Sequence, residues 1–248
     1  MLQNLLLRLA FVGSAYHGWQ VQHNAVTVQQ VLAEAICRAT GEKTRLHGCS
    51  RTDSGVHARA YYANFQSNTS IPLHKIPAAL NYYLPEDIAV ASCTAVPPEF
   101  HARYSAKGKT YEYRFYTDTI RNPFLKDRAY RFPYAFDEAV FTKDAKAFLG
   151  THDFSAFCAA GSDVLDHKRS VTQSDLRRDG AEWVYTVSAD GFLYNMVRIM
   201  VGTLLAAASG STAIQPGGIP DILASRERGK AGPTAPPEGL YLCKVQYP

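Results

Sequence analysis

Two kinds of hydrophobic periodicity alternate along the first part of the chain, and their order constrains the fold more than any other sequence feature. An extended apolar run, Leu5 to Val12, precedes a segment with apolar residues at helical spacing, Thr27 to Ala39. Thr27 suits a helix N-cap and Gly41 a helix stop. Two short extended segments, a second helical one and a β-branched run follow, at Arg45 to Cys49, Tyr61 to Gln66, Leu73 to Leu84 and Ile88 to Val96. This β-α-β-β-α-β order predicts a split βαβ unit.

The second half of the chain repeats this architecture, although not its residues. Its extended segments are Thr110 to Tyr116, Val171 to Arg177, Trp183 to Ala189 and Leu240 to Tyr247, and its helical ones are Glu138 to Leu149 and Phe192 to Ala208. The sequence therefore predicts an α+β fold of two split βαβ halves, residues 1–104 and 105–248. We expect them to form one wide, mostly antiparallel sheet backed by helices, with a cleft where the halves meet. Residues 209–220 and 229–239, rich in Gly, Pro and Ser, are predicted loops.

Composition limits the class of protein without choosing the function. The chain has 248 residues, of which 46% are hydrophobic and 19% charged, so it can bury a substantial core. Its formal net charge of +4 permits a polyanionic partner but does not require one.

The cysteines and the apolar segments bear on the cellular setting. The five cysteines are widely scattered: Cys37, Cys49, Cys93, Cys158 and Cys243. That pattern argues against a disulfide framework and a zinc site. Residues 2–12 contain Asn4 and Arg8 and are predicted to form a strand, not a signal peptide. The stretch 192–208 is interrupted by polar residues and too short to span a bilayer. We expect a reduced, cytoplasmic protein with no membrane segment and no metal.

One short segment concentrates reactive side chains. The segment Arg51 to His57 follows directly after a short predicted strand. It contains, in order, a cation, a hydroxyl, the Asp53 carboxylate, a glycine and an imidazole. Asp followed by Ser-Gly is ordinary turn chemistry, and taken alone this segment is best explained as a turn.

The predicted helix 192–208 carries Arg198 among residues that are apolar on nearly every face. We therefore expect Arg198 to be buried. A buried guanidinium costs several kcal/mol without a partner, so it should face a carboxylate or a polyanion. An arginine that packs its stem and extends its charge to the surface explains the pattern about as well.

The stretch Phe100 to Tyr116 interleaves basic residues with aromatic rings. RNA asks for that mixture, because cations bind the backbone and π-faces bind unstacked bases. Tyr111, Tyr113 and Phe115 alternate, however, and could form one side of a half-buried strand. Core packing is the better explanation for at least two of these three rings.

Taken together, these segments resemble the tRNA pseudouridine synthase A (TruA) family. The matching segments, in family order, are Gly18 to Gln22, Thr27 to Gln29, Arg51 to Ala58, Phe100 to Ala106, Tyr111 to Arg114, Met196 to Gly202, Ala231 to Pro236 and Gly239 to Leu242. They run from one end of the chain to the other, so the resemblance does not depend on the Asp53 segment alone.

The resemblance implies roles for four residues. Asp53 matches the catalytic aspartate, as nucleophile or base, and Arg51 matches a residue implicated in opening the RNA stack. Tyr111 matches the tyrosine that stacks on the target uracil. Arg198 matches the arginine that pairs with the aspartate, which supplies the partner its burial demands. The implied fold is two α/β halves around a deep basic cleft.

The resemblance also implies the substrate and the assembly. The expected reaction is isomerisation of uridine at positions 38, 39 and 40, in the anticodon stem-loop of tRNA, by a homodimer that needs no cofactor. Candidates for binding the RNA backbone are Arg59, His101, Arg103, Lys107, Lys109, Arg114, Lys168 and Arg169.

Two segments depart from the family pattern. Phe11-Val12-Gly13 stands where many relatives have Tyr-Asp-Gly, which puts a turn contact near the N-terminus in question. Residues 168–173 match only loosely, which affects details of RNA contact.

Two other classes of function remain open at this point. A non-catalytic RNA-binding protein could use two RRM-like halves, although no strand shows the usual aromatic signature of such modules. A carboxylate-dependent nucleosidase would call for a second acid or base near Asp53. No second carboxylate stands near Asp53 in the sequence.

Overall fold

The computed structural model describes residues 2–162, 164–210 and 213–248. The chain forms two compact units. Unit 1 takes the residues up to Lys107 together with Tyr241–Pro248, and unit 2 takes Gly108–Leu240. The end of the chain thus belongs with the first unit, whereas the sequence assigns everything after residue 104 to the second half.

Unit 1 has the predicted order of elements. Up to residue 96 they are β1 (Gln3–Phe11), α1 (Val28–Thr40), β2 (His47–Gly48), β3 (His57–Ser67), α2 (Ile76–Asn81) and β4 (Ile88–Val96). Strand β1 lies between β4 and β3 and is antiparallel to both, and β2 pairs with β3. Leu5, Leu7 and Leu9 alternate along β1 and are fully buried. One face of this sheet therefore forms the core of the unit.

Capping residues and a proline account for the bounds of the two helices of unit 1. The Thr27 side chain accepts the N–H of Gln30 at the start of α1, and Gly41 ends the helix in the left-handed region with φ of 76°. Both predicted signals are confirmed. Helix α2 is shorter than predicted, because Leu73–Lys75 forms a separate 3-10 turn and a proline stands in the first turn of α2.

Unit 2 is built around four strands in the order β5-β9-β8-β7, each antiparallel to its neighbours. Its elements are β5 (Gly108–Tyr116), β6 (Tyr130–Arg131), α3 (Glu138–Lys146), β7 (Gly150–Asp153), β8 (Lys168–Asp179), β9 (Glu182–Ala189), α4 (Met196–Ala208) and α5 (Ile219–Ser225). The short β6, β7 and α5 were not predicted, since segments of this length show no clear period. Phe141 of α3 packs against Phe115 and Tyr185, with ring centroids 6.0 and 5.7 Å away.

The last strand, β10 (Leu240–Gln246), pairs in parallel with β3 of unit 1, with Tyr241 opposite His57. Its extended character is evident from the sequence, but its partner is not, because a local pattern carries no information on which distant strand it will meet. Both units therefore contain parallel as well as antiparallel strand pairs, since β6 likewise pairs in parallel with β5. Within the three described ranges, no helix combines the length and the apolarity that crossing a membrane requires.

Candidate active site

Asp53 lies in the turn that leads into β3. The N–H of Val56 donates to the Asp53 carbonyl over 3.2 Å, and Gly55 takes the left-handed conformation with φ of 80°. This is the turn that the Asp-Ser-Gly sequence predicts. Asp53 is half-buried, so its carboxylate stands between the interior and the surface.

Residues 13–19, which follow β1 and which we call the strap, hold this turn through the main chain. The N–H of Gly55 donates to the Tyr16 carbonyl over 3.2 Å, and the N–H of Trp19 donates to the Thr52 carbonyl over 3.2 Å. The Ser54 hydroxyl donates to the same Tyr16 carbonyl over 3.3 Å. These bonds engage residues on both sides of Asp53. The backbone that carries the carboxylate is therefore fixed by one neighbouring segment.

Two glycines let the strap approach the turn this closely. A methyl group on Gly13 would lie 1.9 Å from the Val56 carbonyl oxygen, and one on Gly18 would lie 2.2 Å from the Thr52 carbonyl oxygen. Gly18 also has φ of 81°, a conformation that other residues rarely adopt. Any side chain at either position would push the strap away from the Asp53 turn.

Aromatic side chains anchor the strap to the rest of unit 1. The Tyr16 hydroxyl donates to a carboxylate oxygen of Asp87 over 2.6 Å, and burial together with this bond raises the pKa of Tyr16. The Trp19 ring stacks on Tyr61 of β3 with centroids 4.3 Å apart. The strap is thus tied at its middle to the connection before β4 and at its last residue to β3.

His57, the last residue of the reactive segment, completes this arrangement. It is 1% exposed, and its Nδ1 accepts the N–H of Gly13 over 3.0 Å. A neutral ring with Nδ1 as acceptor carries its proton on Nε2. The ring also stacks on Tyr241 of β10, with centroids 4.6 Å apart. His57 therefore joins the strap, β3 and β10, which is a positioning role for the neighbouring turn.

Two arginines lie on the surface near the Asp53 turn. Arg51 and Arg59 are both exposed. The Arg59 guanidinium lies over the Tyr241 ring, 5.2 Å from its centroid. Two cations on the turn and on the first part of β3 give this end of unit 1 a positive surface beside the Asp53 carboxylate.

Arg198 stands in the first turn of α4, in unit 2. Every residue of α4 except Arg198 and Ala206 is buried, whereas Arg198 is half-buried, which lies between the two alternatives that the sequence left open. Its Nε donates to the Ala235 carbonyl and a terminal nitrogen donates to Asn195 Oδ1, both over 2.7 Å. These bonds orient the guanidinium.

The segment Ala231 to Pro236 packs directly on α4 and places the Ala235 carbonyl. Methyl groups on Gly202 and on Gly232 would lie 1.8 Å from the Pro233 carbonyl oxygen and 2.7 Å from the Thr203 Cα. The N–H of Ala235 also donates to the Arg198 carbonyl over 3.0 Å. The family-like motif at 231–236 therefore has a structural purpose, which is to hold Arg198.

Tyr111 lies on β5 with the other two alternating rings. Tyr113 and Phe115 are fully buried and belong to the core of unit 2, which confirms the prediction for two of the three. Tyr111 is 5% exposed, and its ring meets the edge of Phe192 with centroids 5.0 Å apart. A base could reach the face of Tyr111 only after the side chains that cover it have moved.

Comparison with known proteins adds a decisive observation. Residues 9–105 and 145–248 match the family described as tRNA pseudouridine synthase. The chain belongs to this family. Full-length relatives include proteins named tRNA pseudouridine synthase A from Acetivibrio thermocellus and from Thermoanaerobacter sp. strain X514, each 45% identical over 99% of this chain and 100% of the relative. A protein of the same name from Moorella thermoacetica is 44% identical over 98% of this chain and 99% of its own length.

Among solved structures, a chain from the crystal structure of the archaeal box H/ACA sRNP Nop10-Cbf5 complex matches with a TM-score of 0.35 and 10% identity. The match covers 92% of this chain and 60% of that one. A similarity this low supports no conclusion about the fold or the function of this chain.

The remaining basic candidates of the synthase differ in their surroundings. Arg114 is held by carboxylates, since its terminal nitrogens lie 3.1 Å from Asp179 and 3.2 Å from Glu182. Arg169 is half-buried and donates to the Asp166 carbonyl over 2.9 Å. The others are exposed or half-buried: Lys107, Lys109 and Lys168.

The synthase site also contains residues that the sequence did not single out. Gly13 and Gly18 are needed for close approach, and Asn195 takes the left-handed conformation with φ of 58° at the start of α4. Gly18 stands within a matched motif, which is the one signal that could have found it. His101, a predicted RNA contact, lies beside His47, which was not predicted, with ring centroids 4.6 Å apart.

Proposed function

We propose that this chain isomerises uridine to pseudouridine in tRNA, at positions 38, 39 and 40 of the anticodon stem-loop. The proposal rests above all on one observation: relatives 41–45% identical over the whole chain carry the name tRNA pseudouridine synthase A. The Asp53 turn, with its backbone fixed by the strap and its arginines exposed, supports the same function.

The reaction requires one carboxylate placed against the ribose and the base. The bond between ribose C1′ and uracil N1 breaks, the base turns, and a bond forms between C1′ and C5. The proton leaves C5 and N1 gains one, so the product is an isomer. We propose that Asp53 either attacks carbon or removes the ribose 2′ proton to start this exchange, and neither route requires a cofactor. Exclusion of water keeps the detached uracil in place.

The roles proposed for the other residues are those that the resemblance implies. We propose that Arg51 helps to open the RNA stack, that Tyr111 stacks on the uracil and that Arg198 pairs with Asp53. Unstacking a base costs a few kcal/mol. Stacking on an aromatic ring returns about 1–3 kcal/mol per base. The acceptors that orient the Arg198 guanidinium, the Ala235 carbonyl and Asn195 Oδ1, support its role.

The proposal includes the arrangement that the resemblance implies. It consists of two split βαβ halves that form one sheet around a basic cleft, and a cytoplasmic homodimer. The exposed cations Arg59, Arg103, Lys107 and Lys168, together with Lys109, Arg169 and His101, are the proposed contacts to the tRNA backbone. Arg114 contributes less in this proposal, because carboxylates of unit 2 already neutralise it.

Tritium release from C5 of labelled uridine in tRNA tests the function. We expect the native protein to release tritium and Asp53→Asn to lose at least about 1000-fold in rate, since the variant keeps the shape but not the charge of the acting group. Binding of tRNA should persist in the variant. Release of free uracil would point instead to a nucleosidase. Binding without any release by the native protein would point to a non-catalytic RNA-binding protein.

Arg198→Lys provides a second test of the site. Lysine keeps the charge but has one nitrogen in place of the planar guanidinium, so it cannot supply both the Nε donor to Ala235 and the separate terminal donor to Asn195. We expect a rate loss of about 10- to 100-fold with an unfolding temperature close to that of the native protein. Native activity in this variant would remove Arg198 from the proposed site.

A further inference from the structure

Unit 1 contains a cavity that the proposed chemistry does not use. Its volume is about 730 Å³, and its lining includes Arg45, His47, Asn64 and His101. His47 pairs with Asn64, which lies seven residues along β3 from His57. At the usual rise per residue, this corresponds to roughly 23 Å along the strand. No residue from 50 to 57 lines the cavity, so it is separate from the Asp53 turn.

Two histidines meet at this cavity on a rigid support. The rings of His47 and His101 have centroids 4.6 Å apart. Asn4 and Asn64 are buried, hydrogen-bonded to each other, and both donate to the Phe100 carbonyl just before His101. His101 Nδ1 accepts the N–H of Arg103 over 3.1 Å, so the proton of the neutral ring is on Nε2.

The net charge of the cavity lining depends on the protonation of the two histidines. Lys43 and Arg45 line it with Glu42 and Glu99, so the fixed charges of the lining balance. Glu42 is occupied, because its carboxylate accepts from the Ser67 hydroxyl and the Asn68 N–H. With neutral histidines the lining has no formal net charge, and each proton taken up makes it positive.

Proton uptake is held back as long as the cavity is empty of anions. Burial, then His101 and then Arg45 lower the pKa of His47. Burial also lowers the pKa of His101, followed by Arg103 and Arg45, although the hydrogen bond from the backbone raises it. Positive neighbours thus act on both rings, and an anion between them would reverse that effect.

An exposed aromatic ring stands at the edge of the cavity. Tyr104 is 75% exposed, and its ring lies 4.4 Å from that of His101. The Arg103 guanidinium lies over the same ring, 5.7 Å from the centroid. A ring backed by an imidazole and a cation offers its outer face to an unstacked base.

We propose that the cavity lined by Arg45, His47 and His101, with Tyr104 at its edge, binds a phosphodiester and an adjacent unstacked base of the tRNA substrate, outside the nucleotide that is isomerised. The inference rests on the proposed function, because it takes tRNA as the ligand. Cations and imidazoles face the phosphate and the tyrosine faces the base, which is the combination that single-stranded RNA requires.

The sign of the pH dependence follows from the charges. A bound phosphate raises the pKa of both histidines, so the complex holds more protons than the free protein. Affinity for tRNA therefore increases as the pH falls through the window between the bound and the free pKa values, and is constant above it. The groups that face the pair are Glu42, Lys43, Arg45, Glu99 and Arg103.

Equilibrium binding of unmodified tRNA to His47→Gln and to His47→Gln/His101→Gln tests the proposal. Glutamine keeps a hydrogen-bonding side chain but does not titrate. At about pH 6 we expect the Kd of the double variant to exceed the native value about tenfold, and at about pH 8 by less than about twofold. His74→Gln removes an exposed histidine of the same unit that does not line the cavity, and should bind as the native protein does at both pH values.

Histidine proton signals of the native protein supply a measurement that a structural role would not affect. Adding an oligoribonucleotide should raise the pKa of His47 and of His101. Single His47→Gln keeps the test valid if the double variant unfolds, because the hydrogen bond to His101 Nδ1 is retained.

The outcomes separate this site from the proposed function. If the native protein releases tritium from tRNA while both variants bind tRNA as it does at every pH, the cavity proposal is wrong and the function stands. If no tRNA is converted but binding shows the histidine-dependent pH profile, the function fails and the site stands. Variants that change only the oligomeric state in sedimentation would assign the cavity to contact between copies of the chain and overturn the proposal.

Discussion

The two ends of β3 are organised in opposite ways. Before its first residue, the Asp53 turn is fixed by main-chain hydrogen bonds to the strap and by two glycines that permit no side chain. Toward its last residues, the strand borders an open cavity lined by polar and charged side chains. One end has a rigid backbone that carries one carboxylate, and the other presents several polar and charged side chains.

This difference corresponds to two physical demands. A carboxylate that takes part in bond exchange must be placed to within a fraction of an ångström, and main-chain contacts provide that precision. A contact to an RNA backbone mainly adds attraction between charges, which tolerates motion and depends on salt and pH. Substitutions at the first end should therefore affect rate and stability, and those at the second should affect affinity.

Gly13→Ala should have the largest effect. Its methyl group would overlap the Val56 carbonyl oxygen, and that atom belongs to the backbone that leads into β3. We expect a loss of about 3 kcal/mol or more in the free energy of unfolding and little remaining activity, because neither segment can move without breaking the other bonds of the strap. Denaturant unfolding and tritium release measure the two effects.

Gly229→Ala is the control for Gly13→Ala, since a methyl group there meets no atom within 4 Å. It should leave both quantities unchanged. If Gly13→Ala were as stable and active as this control, the strap could not be what fixes the Asp53 turn, and the two ends of β3 would no longer differ as described.

His57→Ala should rank next. The change removes the acceptor of the Gly13 N–H and leaves a space beside Tyr241. The unsatisfied N–H and the cavity together should lower the free energy of unfolding by about 2–4 kcal/mol. Activity measured at a temperature where the variant is folded should also fall, because the strap loses one of its bonds. An unchanged rate in the folded variant would show that the main-chain bonds suffice without His57.

Gly18→Ala and Gly41→Ala form a matched pair. Both residues have positive φ, 81° and 76°, but only at Gly18 would a methyl group meet backbone, whereas Gly41 has open space. The strain of the left-handed conformation, about 1 kcal/mol, is common to both variants. We expect Gly18→Ala to lose about tenfold more activity than Gly41→Ala. Equal losses would mean that conformational strain alone, and not contact with the Asp53 turn, explains the glycine.

The sequence predicts much of this architecture, but the contacts between distant segments less well. Helical spacing, Thr27 and Gly41 define α1 to within one residue, because capping is local chemistry. Conversely, the partner of β10 and the contact of Gly13 with Val56 depend on where distant segments meet. Arg198 is half-buried, between the two alternatives that the sequence left open, because apolar neighbours in sequence do not show whether the helix face at this residue is covered.

In the candidate site, too, features that depend on neighbouring residues could be predicted, and those that depend on distant segments could not. Asp53 and its turn could be predicted, since the reactive residues are consecutive. His101 was predicted from its motif. His47 belongs to no motif in the sequence, and only the structure shows that its ring lies 4.6 Å from that of His101. Arg114, predicted among the basic candidates, is held by carboxylates from β8 and β9 that no local pattern connects with it.

Arg45→Ala should have the smallest effect and tests the open end of β3 directly. Arg45 is exposed and lines the cavity, so its loss should weaken binding of tRNA by about three- to tenfold and leave the rate at saturating tRNA unchanged. If its guanidinium contacts one phosphate, the slope of log affinity against log salt should become shallower by about 0.7–0.9. Lys75→Ala, which removes an exposed cation of unit 1 away from the cavity, is the control. A change in the rate at saturation with no change in affinity would contradict the proposed difference between the two ends of β3, since it would assign a catalytic part to the end that is proposed to bind RNA.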